Sequence, residues 1–133
     1  MTRGQRLLLA LLIPLVVVGG LLIGRALRPD DRDAGVGIGS ADDVAEFEYD
    51  YLIPAGTAAR IERGESVDLV PRELTVRVGE AIRIVNDDDE GHVVGVFFVG
   101  PGERLTKRFT APGELSGSCT VHSTGEFTLR VDE

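Results

Sequence analysis

Hydrophobic and polar residues alternate with a period of two along much of the chain after residue 44. Phe47, Tyr49 and Tyr51, for example, are separated from one another by acidic residues. The alternation recurs in three later segments: residues 74–78, 82–84 and 127–131. Because successive side chains of a β-strand point to opposite faces, this pattern predicts several half-buried strands.

Turn-forming residues separate these segments, and no convincing amphipathic helix interrupts them. The turns fall at residues 54–56, 63–64, 79–80, 86–91, 100–102 and 112–113. Short strands bounded by turns are typical of a β-sandwich or barrel. We therefore predict one all-β domain over residues 44–133.

Residues 92–99 form an almost continuous apolar run, which predicts a strand covered on both faces at the centre of the sandwich. His92 stands at its start, after a polar loop, so its imidazole is expected where the loop meets the core. The loop carries four successive acidic residues at positions 87–90. Four adjacent carboxylates do not provide the spaced oxygens of a calcium-binding loop, and we interpret them as a solvated turn.

The first 28 residues differ from the rest of the chain. Arg3 and Arg6 precede a run without charge over residues 7–24, and Arg25 and Arg28 follow it. This arrangement predicts a membrane anchor, with a cleaved export signal as the alternative. We expect a single pass through the cytoplasmic membrane with the carboxyl-terminal domain outside, or a secreted domain if the segment is cleaved.

Residues 29–43 are mostly Asp, Gly, Ala and Ser, which predicts a flexible acidic linker. Residues 29–133 contain ten basic and 22 acidic side chains, a net charge of −12. A domain of this charge repels nucleic acid, so we exclude nucleic-acid binding.

Cys119 is the only cysteine, so no intramolecular disulfide can form. Metal ligation, an intermolecular bridge and a buried thiol remain as explanations. The cysteine belongs to the sequence Cys119-Thr120-Val121-His122, and the one other histidine is His92. A thiolate and two imidazoles suit copper or zinc, and the sequence predicts metal ligation by His92, Cys119 and His122.

Residues 70–131 resemble the cupredoxin family, the plastocyanin-like proteins that hold a type 1 copper. The resemblance rests on ordered blocks of sequence. These blocks are Pro71-Arg72-Glu73-Leu74, Val78-Gly79-Glu80, Ile84-Val85-Asn86 before His92, and Pro112-Gly113-Glu114 before Cys119-Thr120-Val121-His122. The resemblance implies a Greek-key β-sandwich that binds copper through His92, Cys119 and His122.

The chain departs from the family at the fourth ligand, which is typically a methionine a few residues after the second histidine. Here that stretch reads Ser-Thr-Gly-Glu-Phe, and the only methionine is Met1. Phe127 near the axial position would raise the reduction potential, because a missing donor destabilises Cu(II) more than Cu(I). A carboxylate from Glu126 would instead favour Cu(II) and lower the potential. The sequence leaves both alternatives open.

The expected function is one-electron transfer with an unidentified redox partner protein, outside the membrane to which the chain is anchored. A copper carrier or buffer without a redox role is one alternative, and a metal-free interaction domain at the cell surface is another. We do not expect an enzyme, since no nucleophile lies in a recognisable arrangement with a base and an orienting group.

Overall fold

The computed structural model describes residues 36–133, in which nine strands and one short helix occur. Their bounds are β1 Gly37–Ser40, β2 Tyr49–Ile53, α1 Thr57–Glu62, β3 Glu73–Arg77, β4 Ala81–Asn86, β5 His92–Val94, β6 Phe97–Val99, β7 Arg104–Ala111, β8 Gly113–Ser118 and β9 Glu126–Asp132. The predicted segment 1–28 and residues 29–35 lie outside the described residues. Within residues 36–133, no helix has the length and apolar composition to cross a membrane.

The strands form two larger sheets and a hairpin. One sheet has the order β1-β7-β4-β2, the second has the order β3-β9-β8, and β5 pairs with β6. The β2–β4 and β3–β9 pairs are parallel, and the other pairs are antiparallel. From β2 to β4 the chain passes from the first sheet to the second and back, and it returns to the second sheet after β7.

A single hydrophobic core lies between the two larger sheets. Ile82 and Ile84 from β4 and Phe109 from β7 are fully buried, and they pack with Leu129 and Val131 from β9. Ile82, Ile84, Leu129 and Val131 occupy apolar positions of the period-two pattern, whereas Phe109 lies outside the segments in which that pattern was found. The predicted all-β sandwich is thereby confirmed, because the apolar faces of both sheets bury each other.

The predicted continuous strand over residues 92–99 is wrong. The run is a hairpin in which β5 and β6 reverse direction at Gly95, whose φ is +62°. This backbone conformation suits glycine because it has no Cβ. Each strand of the hairpin buries alternate residues, and the Phe98 side chain between two buried neighbours is 64% exposed. The run is therefore covered on one face only.

The linker predicted over residues 29–43 is wrong from residue 37 onward. Gly37–Ser40 forms β1, which pairs with β7, and Ala41 is fully buried. Val36 and Ile38 also pack against the core. Composition did not indicate this strand, because two of its four residues are glycine and it depends on β7 for its backbone hydrogen bonds.

The role of β1 can be tested with two fragments, residues 36–133 and residues 44–133. We expect the shorter fragment to lose about 2 kcal/mol or more of unfolding free energy, because it lacks the backbone hydrogen bonds of β1 and the burial of Ala41. Urea unfolding monitored by circular dichroism measures the difference. Equal midpoints and slopes would show that residues 36–43 contribute nothing to the fold.

Candidate metal centre

The β5–β6 hairpin is attached directly to the segment that contains Cys119. Val94 and Cys119 form an isolated antiparallel bridge. The Gly95 N–H donates to the Ser118 carbonyl at 2.7 Å, and the Thr120 N–H donates to the Val93 carbonyl at 2.9 Å. His92 at the start of β5 is thus held next to the Cys119 segment by backbone hydrogen bonds.

Gly117 permits this close approach of the hairpin. A Cβ atom at this position would lie 2.7 Å from the Gly95 carbonyl oxygen, which is backbone and cannot move aside as a side chain could. Any larger residue at 117 would push the hairpin away from β8. The two glycines, 95 and 117, therefore set the distance between the His92 strand and the Cys119 segment.

His92 lies where the sequence predicted, at the junction of the polar loop and the core, and only 3% of it is exposed. Both ring nitrogens have partners. Nε2 lies 2.8 Å from Asp88 Oδ2, and Nδ1 lies 3.2 Å from the Thr120 hydroxyl. The ring is therefore in contact with the residue that directly follows Cys119.

The acidic loop is not simply a solvated turn, and this part of the sequence interpretation is wrong. Asp87, Asp89 and Glu90 are exposed, but Asp88 is only 2% exposed. The hydrogen bond from His92 holds the pKa of the Asp88 carboxyl far below its usual range, and backbone N–H donors act in the same direction against desolvation. One member of the acidic run is therefore a buried hydrogen-bond partner of the predicted ligand.

Asn86 holds the loop in this conformation. Its side-chain Nδ2 donates to the carbonyls of Glu90, Val99 and Gly100 at 2.8–3.1 Å. Its Oδ1 accepts from the Asp88 N–H at 3.0 Å. Because this amide is completely buried and fully bonded, it ties the loop to β6 and directs Asp88 inward.

Cys119 is a free, buried thiol that follows β8. Its N–H donates to the Gly125 carbonyl at 2.8 Å, which closes the loop that contains His122. Burial raises the pKa of the Cys119 thiol, and the backbone N–H groups of Val121 and His122 partly oppose this by favouring the thiolate.

His122 lies nearer the surface, in the loop closed by Gly125. Its Nδ1 accepts from the Thr124 N–H at 3.2 Å and lies 2.8 Å from the Thr124 hydroxyl. Its Nε2 lies 3.6 Å from Asp68 Oδ1. Asp68 also accepts from the Ser123 N–H, and hydrogen bonding to Ser123 is the main cause of its lowered pKa.

The two histidines share one arrangement. In each, Nε2 faces a carboxylate and Nδ1 faces a threonine hydroxyl. An ionised carboxylate only accepts hydrogen bonds, so the geometry favours a proton on Nε2 and, in a neutral ring, a lone pair on Nδ1. That is the form in which an imidazole binds a metal through Nδ1.

The donor types therefore fit a soft metal ion, but the side chains are not assembled around one point. Among residues 36–133, no group of three or more His, Cys, Asp and Glu side chains is placed to hold a metal ion. Both Nδ1 atoms would have to exchange a threonine hydroxyl for the metal. Ligation by His92, Cys119 and His122 stays a prediction.

The two residues considered for the fourth ligand position differ in their surroundings. The Glu126 side chain is 67% exposed, and its carboxylate lies 3.0 Å from the Arg72 guanidinium. The Phe127 ring is buried, and it lies so close to Gly95 that a Cβ there would be 2.7 Å from its Cδ1. The pairing with Arg72 disfavours Glu126 as a donor.

Sequence reasoning missed four side chains that contact the predicted ligands: Asp68, Asp88, Thr120 and Thr124. Asp88 is four residues before His92 and is separated from it only by residues of the same polar loop. Nothing distinguishes it in sequence from Asp87 or Asp89. Only its burial reveals the pairing.

The described fold is similar to solved structures of amicyanin. Amicyanin from Paracoccus versutus (Thiobacillus versutus) has a TM-score of 0.45 and 16% identity, with 71% of this chain and 97% of that chain covered. An oxidised amicyanin variant has a TM-score of 0.43 and 19% identity, covering 74% of this chain and 99% of that chain. A Cu(I) form of another amicyanin variant has a TM-score of 0.42 and 20% identity, with 72% of this chain and 92% of that chain covered.

The resemblance to the cupredoxin family noted from the sequence rests on the sequence blocks given above and stays a prediction. The chain matches no protein-family model and no curated protein.

The environment of Cys119 predicts a slowly reacting thiol in the metal-free protein. We expect a disulfide reagent to modify Cys119 at least about tenfold more slowly in the folded chain than in urea, because burial limits access and raises the thiol pKa. The release of the reagent's chromophore, followed at neutral pH, measures both rates. Equal rates would contradict the buried position.

Proposed function

We propose that this protein is a copper-binding one-electron carrier that works outside the cytoplasmic membrane, with His92, Cys119 and His122 as the ligands. One observation carries the proposal: the His92 ring contacts Thr120, the residue next to Cys119, and backbone hydrogen bonds hold the two segments together. This contact supports the proposal because it joins His92 to the segment that contains Cys119, although the two lie far apart in the sequence.

Each of the three residues has a distinct part in this proposal. Cys119 contributes a thiolate, which the N–H groups of Val121 and His122 favour. His92 and His122 would hold the metal through Nδ1, which would require the hydroxyls of Thr120 and Thr124 to turn away. Copper, when bound, supplies a centre that accepts and releases one electron.

The rest of the site excludes water and restricts movement. His92 and Cys119 are each 3% exposed, and backbone hydrogen bonds restrain the segments on both sides of them. Ligands that are restrained in this way move little between oxidation states, which favours fast electron transfer. His122, whose side chain is 15% exposed, is the ligand nearest to solvent and the expected point of contact with a redox partner protein.

The absence of a fourth protein donor is part of the proposal. Glu126 is paired with Arg72 at the surface, and the buried Phe127 offers no donor atom. We therefore expect a raised reduction potential, because Cu(II) loses more from a missing donor than Cu(I) does. Attachment to the membrane through residues 1–28 would keep the domain near a membrane-bound partner, and a cleaved, secreted form is the alternative.

A second candidate function is a metal-free interaction domain at the cell surface. The observation that favours it is that both Nδ1 atoms are already hydrogen-bonded to threonines in the described structure. A copper carrier or buffer without a redox role is a variant of the first candidate. A reversible reduction potential would favour the electron carrier over the carrier or buffer.

A copper titration decides between these candidates. We expect the purified full-length chain in detergent to bind one Cu(II) with an intense visible thiolate-to-copper band and a narrow copper hyperfine splitting. Cys119→Ser should abolish both signals. Ser118→Ala, at the exposed neighbouring position, should leave them unchanged. A folded wild-type chain that binds no stoichiometric copper would exclude the electron-carrier function.

A further inference from the structure

Asp88 is a charged side chain in the interior of an otherwise exposed acidic loop. Its side chain has no exposed surface, whereas Asp87 and Asp89 on either side are open to solvent. Burial of an ionised carboxylate without partners is strongly unfavourable, so the position of Asp88 requires strong hydrogen bonds. The structure provides three, from two different parts of the chain.

Two of these bonds come from the backbone at the start of α1, and the third comes from the ring of His92. Gly56 N–H donates to Oδ1 at 2.9 Å, and Ala58 N–H donates to Oδ2 at 2.8 Å. Oδ2 also accepts from His92 Nε2 at 2.8 Å. The carboxylate therefore joins residues 56–58 and β5 to the loop that contains Asp88 itself.

These contacts determine which ring nitrogen of His92 carries a proton. Since the carboxylate can only accept, the bond to Asp88 requires a proton on Nε2. In the neutral ring, Nδ1 is then unprotonated, and its lone pair faces the Thr120 hydroxyl at 3.2 Å. A rotation of the ring would break the buried bond to Asp88, so ring orientation and tautomer are fixed together.

The His122–Asp68 pair can be compared with the His92–Asp88 pair. His122 Nε2 also faces a carboxylate, but at 3.6 Å, and the Asp68 side chain is 54% exposed. An exposed pair at this distance contributes little, because water competes for both groups. The chain therefore contains one firmly held imidazole and one adjustable imidazole.

We propose that Asp88 is a positioning residue that fixes the Nε2–H tautomer and the orientation of His92, so that Nδ1 alone is available to a metal. The functional role of this positioning rests on the proposed copper binding. The positioning of the His92 ring is itself a property of the metal-free protein. Carboxylates that bind the outer nitrogen of a metal-ligating imidazole orient the ring and strengthen metal binding.

The first test uses the metal-free full-length chain labelled with ¹⁵N, at about pH 8, where imidazoles are mostly neutral. We expect one slowly exchanging, strongly downfield imidazole proton attached to Nε2 of His92, with Nδ1 unprotonated. Asp88→Ala should abolish this resonance, whereas the matched control Asp68→Ala should leave it in place. Asp88→Asn, which retains the side-chain volume and one acceptor, should keep a resonance that is less downfield.

The tautomer of His92 in the wild-type chain tests the proposal even if Asp88→Ala does not fold. A proton on Nδ1 of His92, or an Nε2 proton that exchanges as fast as in a free imidazole, would overturn the proposal. An unchanged resonance in folded Asp88→Ala would overturn it as well, since Asp88 would then serve only to bind the backbone at α1.

The second test measures copper affinity in the same variants. We expect a 10–100-fold loss of affinity for Asp88→Ala, the range typical of second-layer partners of metal-ligating histidines. The loss for Asp68→Ala should be smaller than about threefold, as for other exposed ion pairs. Equal losses in the two variants would contradict the special role of Asp88. If no variant binds copper while the Asp88-dependent Nε2 proton is present, the copper function fails and the positioning of His92 stands.

Discussion

A buried carboxylate cannot be left without donors, and this constraint organises one end of the molecule. Asp88 is satisfied by the N–H groups of Gly56 and Ala58 and by the ring of His92. These donors belong to two segments of the chain, residues 56–58 and β5. Because the loss of any one donor would leave the buried charge less well compensated, Asp88 links the loop to the start of α1 and to β5.

The second set of restraints connects this end of the molecule to Cys119. Hydrogen bonds from Gly95 to Ser118 and from Thr120 to Val93 join the hairpin to β8, at a distance that only glycine at position 117 permits. The Thr120 hydroxyl then contacts both the Val93 N–H and the His92 ring. Backbone hydrogen bonds therefore hold His92 next to the Cys119 segment in the metal-free protein.

The period-two pattern predicted β2, β3, β4 and β9 well, because alternation reports directly which side chains face the core. It failed where the stabilising partner lies elsewhere in the chain. The strand β1 has one clearly apolar residue, Ile38, and depends on β7 for its hydrogen bonds. The run over residues 92–99 reads as one buried strand, and the reversal at Gly95 becomes evident only from the backbone angle and the exposure of Phe98.

For the candidate site, residue types and local spacing were enough to single out His92, Cys119 and His122 as the chain's soft and nitrogen donors. Tertiary structure alone decided that Asp88, and neither of its acidic neighbours, enters the interior to bind His92. The physical reason is that a hydrogen bond requires both partners within about 3 Å, and the backbone donors that make the burial of Asp88 tolerable lie some thirty residues away along the chain.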